Sequence, residues 1–386
     1  RKLLLVVLIS RYVKMLCGRD KYFQMLILLS ILFFQVAELF ASQYWPQAQW
    51  RTESPESQGM SSEILSKLFH AIRKHEYKID SVIIVRNGYV VLESYSYLQE
   101  PHFKHQIYSC TKSVSSALIG IAIDKGYIKS VDQTLLELFP ERTPRIQHSD
   151  KRKITVRHIL MMATGLECED SVRYEFKGLK EMWQSDDWTQ YMIDLPLIDP
   201  PGNRFEYCNG ASALLTAVIQ KVTGMTAFEF AKRHLFNPLK IKDIHWKSHN
   251  GVTIGYSDLT MRPPDMARLG YLFLNDGKWN NHEIISAEWV EESTKKHINN
   301  TLTYGYGYQW WIMTPDRYAA VGAHGQRIFV LKDKNMVVVF TGNLQKVKTR
   351  IPEEILDTYI IPAVRSDNPL PENHRSWERL KSMQLH

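Results

Sequence analysis

Ser109 and Lys112 stand three residues apart in the stretch IYSCTKS, directly before the apolar run VSSALIGIAI. Side chains at that spacing share one face of a helix, a turn apart. Val114, Ala117, Leu118, Ile119, Ile121, Ala122 and Ile123 make the helix apolar almost all round until Lys125-Gly126, so it reads as buried. Ser109 then falls in its first turn, where free backbone N–H groups and the positive dipole end favour developing negative charge. A lysine beside it and withdrawn from water becomes a usable base for the serine hydroxyl. The plainer alternative is a capping serine and a lysine that extends its head to water. A second Ser-x-x-Lys, Ser293 to Lys296, lies in the charged stretch EESTKKHIN and reads as solvated helix.

Two further elements bear on the choice. PPGNRFEYCNGASALL holds Tyr207 and Asn209, the only Tyr-x-Asn of the chain, between a Pro-Gly turn and a helical run. A phenol near a lysine can shuttle a proton, and an asparagine amide can grip a substrate carbonyl and N–H. A turn tyrosine with a wet hydroxyl is the alternative. AAVGAHGQRIFV places His324, Gly325 and Gln326 on a strand, where glycine permits close approach of a substrate backbone. A lone structural histidine is the alternative there.

In order and wide spacing, the three resemble the motif set of serine penicillin-recognising enzymes: Ser-x-x-Lys, Tyr-x-Asn, then Lys/His-x-Gly. The flanks TVRHILMMATGLE, DPPGNRFEYCNG, LTMRPPDMARLGYLFLNDGKW and YGYGYQWW are similar to the class C β-lactamase-type serine hydrolases, and the likeness covers most of residues 50–365. The resemblance implies Ser109 as acylated nucleophile, Lys112 and Tyr207 as general base, and Asn209, His324, Gly325 and Gln326 on the substrate. It also implies an oxyanion held by the backbone N–H groups of Ser109 and Gln326. The third motif departs from the family: His-Gly-Gln stands where Lys-Thr-Gly or His-Thr-Gly is usual. Histidine grips a carboxylate less firmly than lysine, which favours amides or esters without that group over penicillins. The expected activity is amide or ester hydrolysis. A β-lactamase or D,D-peptidase, or an acylated sensor that does not turn over, are the rivals. Burst kinetics separate the sensor, which would release one equivalent and stop. Cys110 and Cys208 fill the variable places of the first two motifs and so approach each other, as a disulfide or as two buried thiols.

The elements that must position these groups follow from periodicity. SSEILSKLFHAIRKH reads as an amphipathic helix capped by Ser61. SVIIVRNGYVVLESY reads as a hairpin turning at Asn87-Gly88. Residues 109–299 are mostly helical, with ITVRHILMMATGL, ALLTAVIQKVTG and MARLGYLFLNDG as clear segments. Strands return in YGYQWWI, RYAAVGA and QRIFVLKDKNMVVVFTGN, and PEEILDTYIIPAV closes as a helix. The expected fold is α+β, of the β-lactamase/D,D-peptidase kind: an antiparallel sheet from residues 42–108 and 300–386, flanked by helices, with helical domain 109–299 inserted and the site in the cleft between. Tyr304, Tyr306, Tyr308, Trp310 and Trp311 read as core and strand edge.

Composition narrows the partners. An apolar content of 44% and a charged content of 23% describe a globular chain. The net charge of +7 is concentrated at the start, where residues 1–41 hold six basic and two acidic residues. No basic stripe interleaved with aromatics remains, so nucleic acid is not an expected partner; a small amide or ester is. Lys14, Arg19 and Lys21 precede MLILLSILFFQVAELFASQ, which reads as a targeting segment cleaved after Ala41; an uncleaved membrane anchor is the alternative. An exported protein is expected, periplasmic in a Gram-negative bacterium. No HExxH or zinc-like cysteine spacing is present, and neither metal nor cofactor is expected.

Overall fold

A computed structural model describes residues 45–46, 49–96, 100–145, 149–168, 170, 176–345, 350–383 and 385. The expected targeting segment 1–41 lies outside the described residues. Among the described residues no single helix is long and apolar enough to cross a bilayer.

A seven-stranded sheet organises the unit Pro46–His386. Its strands are β1 (Ile79–Arg86), β2 (Tyr89–Tyr95), β3 (Gly305–Tyr306), β4 (Trp311–Thr314), β5 (Arg317–Val321), β6 (Arg327–Leu331) and β7 (Met336–Gly342). They lie in the order β3-β4-β5-β6-β7-β1-β2, every neighbouring pair antiparallel. The hairpin between β1 and β2 turns at Asn87 (φ 52°) and Gly88 (φ 86°), the double left-handed geometry that Asn-Gly tolerates best. The two ends of the chain meet where Val82 faces Phe340 and Ile84 faces Val338. Both strands are buried nearly throughout, because helices cover both faces of the sheet.

On one face lies α1 (Ser62–Lys74), whose Ser61 cap accepts the Ile64 N–H and whose Leu65, Leu68, Phe69 and Ile72 enter the core. It shares that core with the C-terminal segment, which is one turn of α-helix (Ile351–Ile355) running into π and 3₁₀ turns to Ala363. The opposite face takes α4 (Pro263–Leu274). Gly270 lets α4 sit against the sheet, since a Cβ there would lie 2.5 Å from Val337 and 2.8 Å from Ile328.

Between β2 and β3 the chain is mostly helical. Its centre is a pair, α2 (Thr111–Asp124) and α3 (Asn209–Thr223), packed side by side. The segment ITVRHILMMATGL is helical only over Val156–Leu160, and Met162 at φ 57° breaks it. Ser293 is not on a solvated helix as its charged neighbours suggested: it is fully buried, its hydroxyl bonded to the Val290 carbonyl, while Lys296 covers the Tyr304 ring. Tyr306, Tyr308 and Trp310 are core, as read; Tyr304 is exposed.

Candidate active site

Ser109 sits in a 3₁₀ turn, Tyr108–Cys110, that feeds α2, one step before the α-helical turn in which it was expected. Tyr108 takes a left-handed backbone (φ 47°), as does His324 (φ 59°), and the two rings pack at 5.0 Å. Strained non-glycine residues of this kind persist where surrounding packing over-determines them. The turn is brought against the sheet by Gly322 just after β5. A Cβ there would fall 2.4 Å from the Ile107 carbonyl oxygen and 3.3 Å from Cys110 Sγ.

Lys112 follows on α2, 2% exposed. Its Nζ lies 3.0 Å from Ser109 Oγ, 2.8 Å from Asn209 Oδ1 and 3.1 Å from the Tyr256 carbonyl oxygen. The rings of Tyr207 and Tyr256 flank it at 4.9 and 5.6 Å. Burial lowers the amine to about 7, partly offset by the negative field of Asp170. The Tyr207 hydroxyl faces Ser109, and burial holds its phenol well above the ordinary value despite the serine beside it. The three polar tips therefore meet: a serine touched by a lysine poised near neutrality and by a protonated tyrosine.

Asn209 opens α3, so its position is fixed by the helix that packs on α2. Cys208 caps that helix, its Sγ accepting the Ala211 N–H, and pairs with Cys168. The disulfide joins Cys168 to Cys208, not Cys110 to Cys208; Cys110 is a buried free thiol directed at the Gln326 carbonyl (3.6 Å). Cys168, Asp170 and Cys208 bring ligand-type atoms within 4.8 Å of one another, but both sulfurs are spent in the disulfide.

The third motif departs most from expectation. His324, Gly325 and Gln326 do not lie on a strand. They form a tight excursion closed by Gly322 N–H to Gln326 O (2.9 Å), with Val321 and Arg327 paired at its base. A left-handed residue cannot continue a β ladder, and His324 is one. Its Nδ1 bonds the Leu344 carbonyl (3.0 Å), which requires a proton on Nδ1. Gln326 is buried, with its side chain donating to the Gly342 carbonyl (2.7 Å) and its N–H turned back toward Ala323 O (3.4 Å). That engagement removes Gln326 as the expected oxyanion donor. Among the described residues, the N–H groups of Ala323, exposed in the same turn, and of Ser109 have no backbone acceptor outside their own turns.

Sequence reasoning missed Asp170 and Tyr256. Asp170 is buried against the start of α3, and burial raises its carboxyl to about 6. Tyr256 contributes a backbone oxygen, which no side-chain pattern reports. Beside Tyr207, whose ring stacks on Trp311 at 6.0 Å, opens a cleft of about 210 Å³ lined by Leu302, Trp311, Met313, Val321 and Arg350.

Comparison with known proteins agrees with this architecture. The chain is 21% identical over 291 residues to the 6-aminohexanoate-dimer hydrolase of Paenarthrobacter ureafaciens, covering 69% of this chain and 73% of that one. It is 27% identical over 199 residues to Protein flp of Staphylococcus aureus, covering 47% of this chain and 37% of that protein's length. The structure of EstCE1, a hydrolase with promiscuous acyltransferase activity, superposes with a TM-score of 0.64 at 15% identity over 79% of this chain and 99% of that one. The model of the family described as Beta-lactamase matches residues 66–357, and the chain belongs to that family.

Proposed function

We propose that the protein is an exported serine hydrolase that cleaves amide or ester bonds through an acyl-enzyme on Ser109. The observation that carries this reading is the contact of Ser109 Oγ with a buried Lys112 held near neutrality. With Lys112 neutral, the Ser109 O–H gives its proton to Nζ as Oγ forms a bond to the substrate carbonyl carbon. The carbonyl electrons move to oxygen, which the free N–H groups of Ser109 and Ala323 are available to receive. When the tetrahedral species collapses, the bond to the leaving nitrogen or oxygen breaks. Tyr207 donates its proton there and is resupplied from Lys112. Water then repeats the sequence on the ester and frees Ser109. Tyr207 acts as relay rather than resting base, since its phenol stays protonated at neutral pH.

The substrate class follows from the third motif. The Leu344 carbonyl engages Nδ1 of His324, so that ring nitrogen is not available to a substrate carboxylate, which supports neutral amides or esters over penicillins.

The test is intact-protein mass spectrometry after a fluorophosphonate and, separately, a penicillin. One phosphonyl adduct on Ser109 is expected in wild type and none in Lys112→Ala, whose fold is checked by circular dichroism. Labelling of Lys112→Ala at the wild-type rate would remove lysine from the mechanism. Penicilloylation followed by fast release would favour a β-lactamase instead, and a stable penicilloyl adduct an acylated sensor.

A further inference from the structure

We infer that Asp170 is a positioning residue of this site: its buried carboxylate anchors the first turn of α3, holds Asn209 against the Lys112 amine, and sets a negative charge beside that amine. Asp170 is 3% exposed. Its Oδ2 accepts the Asn209 N–H at 2.6 Å, and the Gly210 N–H also points to the carboxylate. The same Asn209 accepts from Lys112 through its side-chain oxygen at 2.8 Å. One residue is thus gripped by the acid through its backbone and grips the base through its side chain.

Asp170 Oδ1 is buried with no hydrogen-bond partner among the described residues. Gly178, on the helix Lys177–Gln184, closes over it: a Cβ there would lie 3.5 Å from Oδ1 and 1.8 Å from the Cys168 carbonyl oxygen. A half-satisfied carboxylate is an expensive way to cap a helix, and a serine or asparagine would accept the same N–H without a buried charge. The charge has a recipient. Lys112 is the cation that feels Asp170, and the phenols of Tyr207 and Tyr256 face it as well; the Cys110 thiol faces Lys112 from the other side. The Cys168–Cys208 disulfide holds this register, since Cys168 precedes Asp170 by two residues and Cys208 precedes Asn209 by one. The opposite charge favours protonated Lys112 and opposes the effect of burial, keeping the amine a strong enough base for its task.

The catalytic consequence rests on the hydrolase reading; the charge coupling does not. The coupling is read by following the Lys112 Cε resonance against pH in protein carrying ¹³C-labelled lysine. Asp170→Asn keeps an acceptor for the Asn209 N–H but removes the charge, and the Lys112 midpoint should fall by on the order of one pH unit. In wild type the Lys112 signal should move in two steps, the lower one reporting ionisation of Asp170. Should Asp170→Asn not fold, the wild-type curve decides alone. A single step in wild type, or an unmoved midpoint in the variant, overturns the inference. The pH profile of fluorophosphonate labelling of Ser109 should shift the same way, and Asp170→Ala, which also frees Asn209, should lower the plateau rate roughly tenfold. Wild type that takes no phosphonate at any pH would defeat the hydrolase reading, while the resonance titration would still decide the role of Asp170.

Discussion

Ser109 Oγ meets Lys112 Nζ with Tyr207 beside them, and in the proposed mechanism their charge states divide the labour. Lys112 sits near 7, so the fraction able to take a proton grows as pH rises through that value. The kcat/KM for a neutral ester such as p-nitrophenyl butyrate should therefore fall on the acid side with a midpoint close to 7. A profile flat down to pH 5 would show that lysine deprotonation does not gate the reaction. Tyr207→Phe should keep that midpoint and lose rate on the order of a hundredfold, because the relay is removed but the base is not. The grouping of Ser109, Lys112, Tyr207 and Asn209 was expected from the three-motif resemblance rather than from the Ser-x-x-Lys spacing alone, which the chain repeats at Ser293 and Lys296. Asp170 was not. A lone aspartate two residues after a cysteine carries no spacing signal, and its role depends on a fold that brings position 170 to position 209.

At the scale of elements, Gln309 shows how the helical part and the sheet are held together. It is fully buried in a left-handed conformation (φ 64°) within the aromatic stretch YGYGYQWW. Its side chain accepts from Ser212 on α3 at 2.7 Å and donates to the Ile159 and Leu160 carbonyls, while its own carbonyl accepts from Ser113 on α2 at 2.7 Å. Gln309→Ala would strand several of these partners without water and should cost about 2–4 kcal/mol in denaturant unfolding. A loss below ~1 kcal/mol would show that the network relaxes. The sheet strands, α1 and the Asn-Gly hairpin were legible because alternation, amphipathicity and turn chemistry are local. The third motif was misplaced for a physical reason: AHGQ sits between two strand-like runs, and nothing in its composition reveals that His324 adopts a left-handed backbone. The aromatic stripe hid Gln309, because periodicity reports burial and is silent about a polar hub inside it.

At the scale of the molecule, the Cys168–Cys208 bond closes a loop of sequence separation 40 across the helical part and fastens the segment carrying Asp170 to the start of α3. Loop-closure entropy gives such a tie about 4 kcal/mol at most. Reduction under non-denaturing conditions should therefore lower the melting temperature and slow Ser109 labelling, with both effects reversed on reoxidation. Unchanged labelling by fully reduced protein would show that packing alone fixes the segment. The tie also fits the proposed export, since such bonds form in oxidising compartments. The sequence left Cys110 and Cys208 as a disulfide or two buried thiols and did not point to Cys168, whereas the turn before α2 aims the Cys110 thiol at the Gln326 carbonyl.

The pairing of β1 with β7 spans nearly the whole chain, as in the contact between Ser81 and Thr341 hydroxyls across a sequence separation of 260. During synthesis the first hairpin emerges long before its partner and waits with an open edge. The turn bearing Ser109 leans on Gly322, which is also made late. A ribosome must therefore finish most of the message before Gly322 can close on the turn that carries Ser109, so under the proposed function the nascent polypeptide is chemically silent until its last strands arrive.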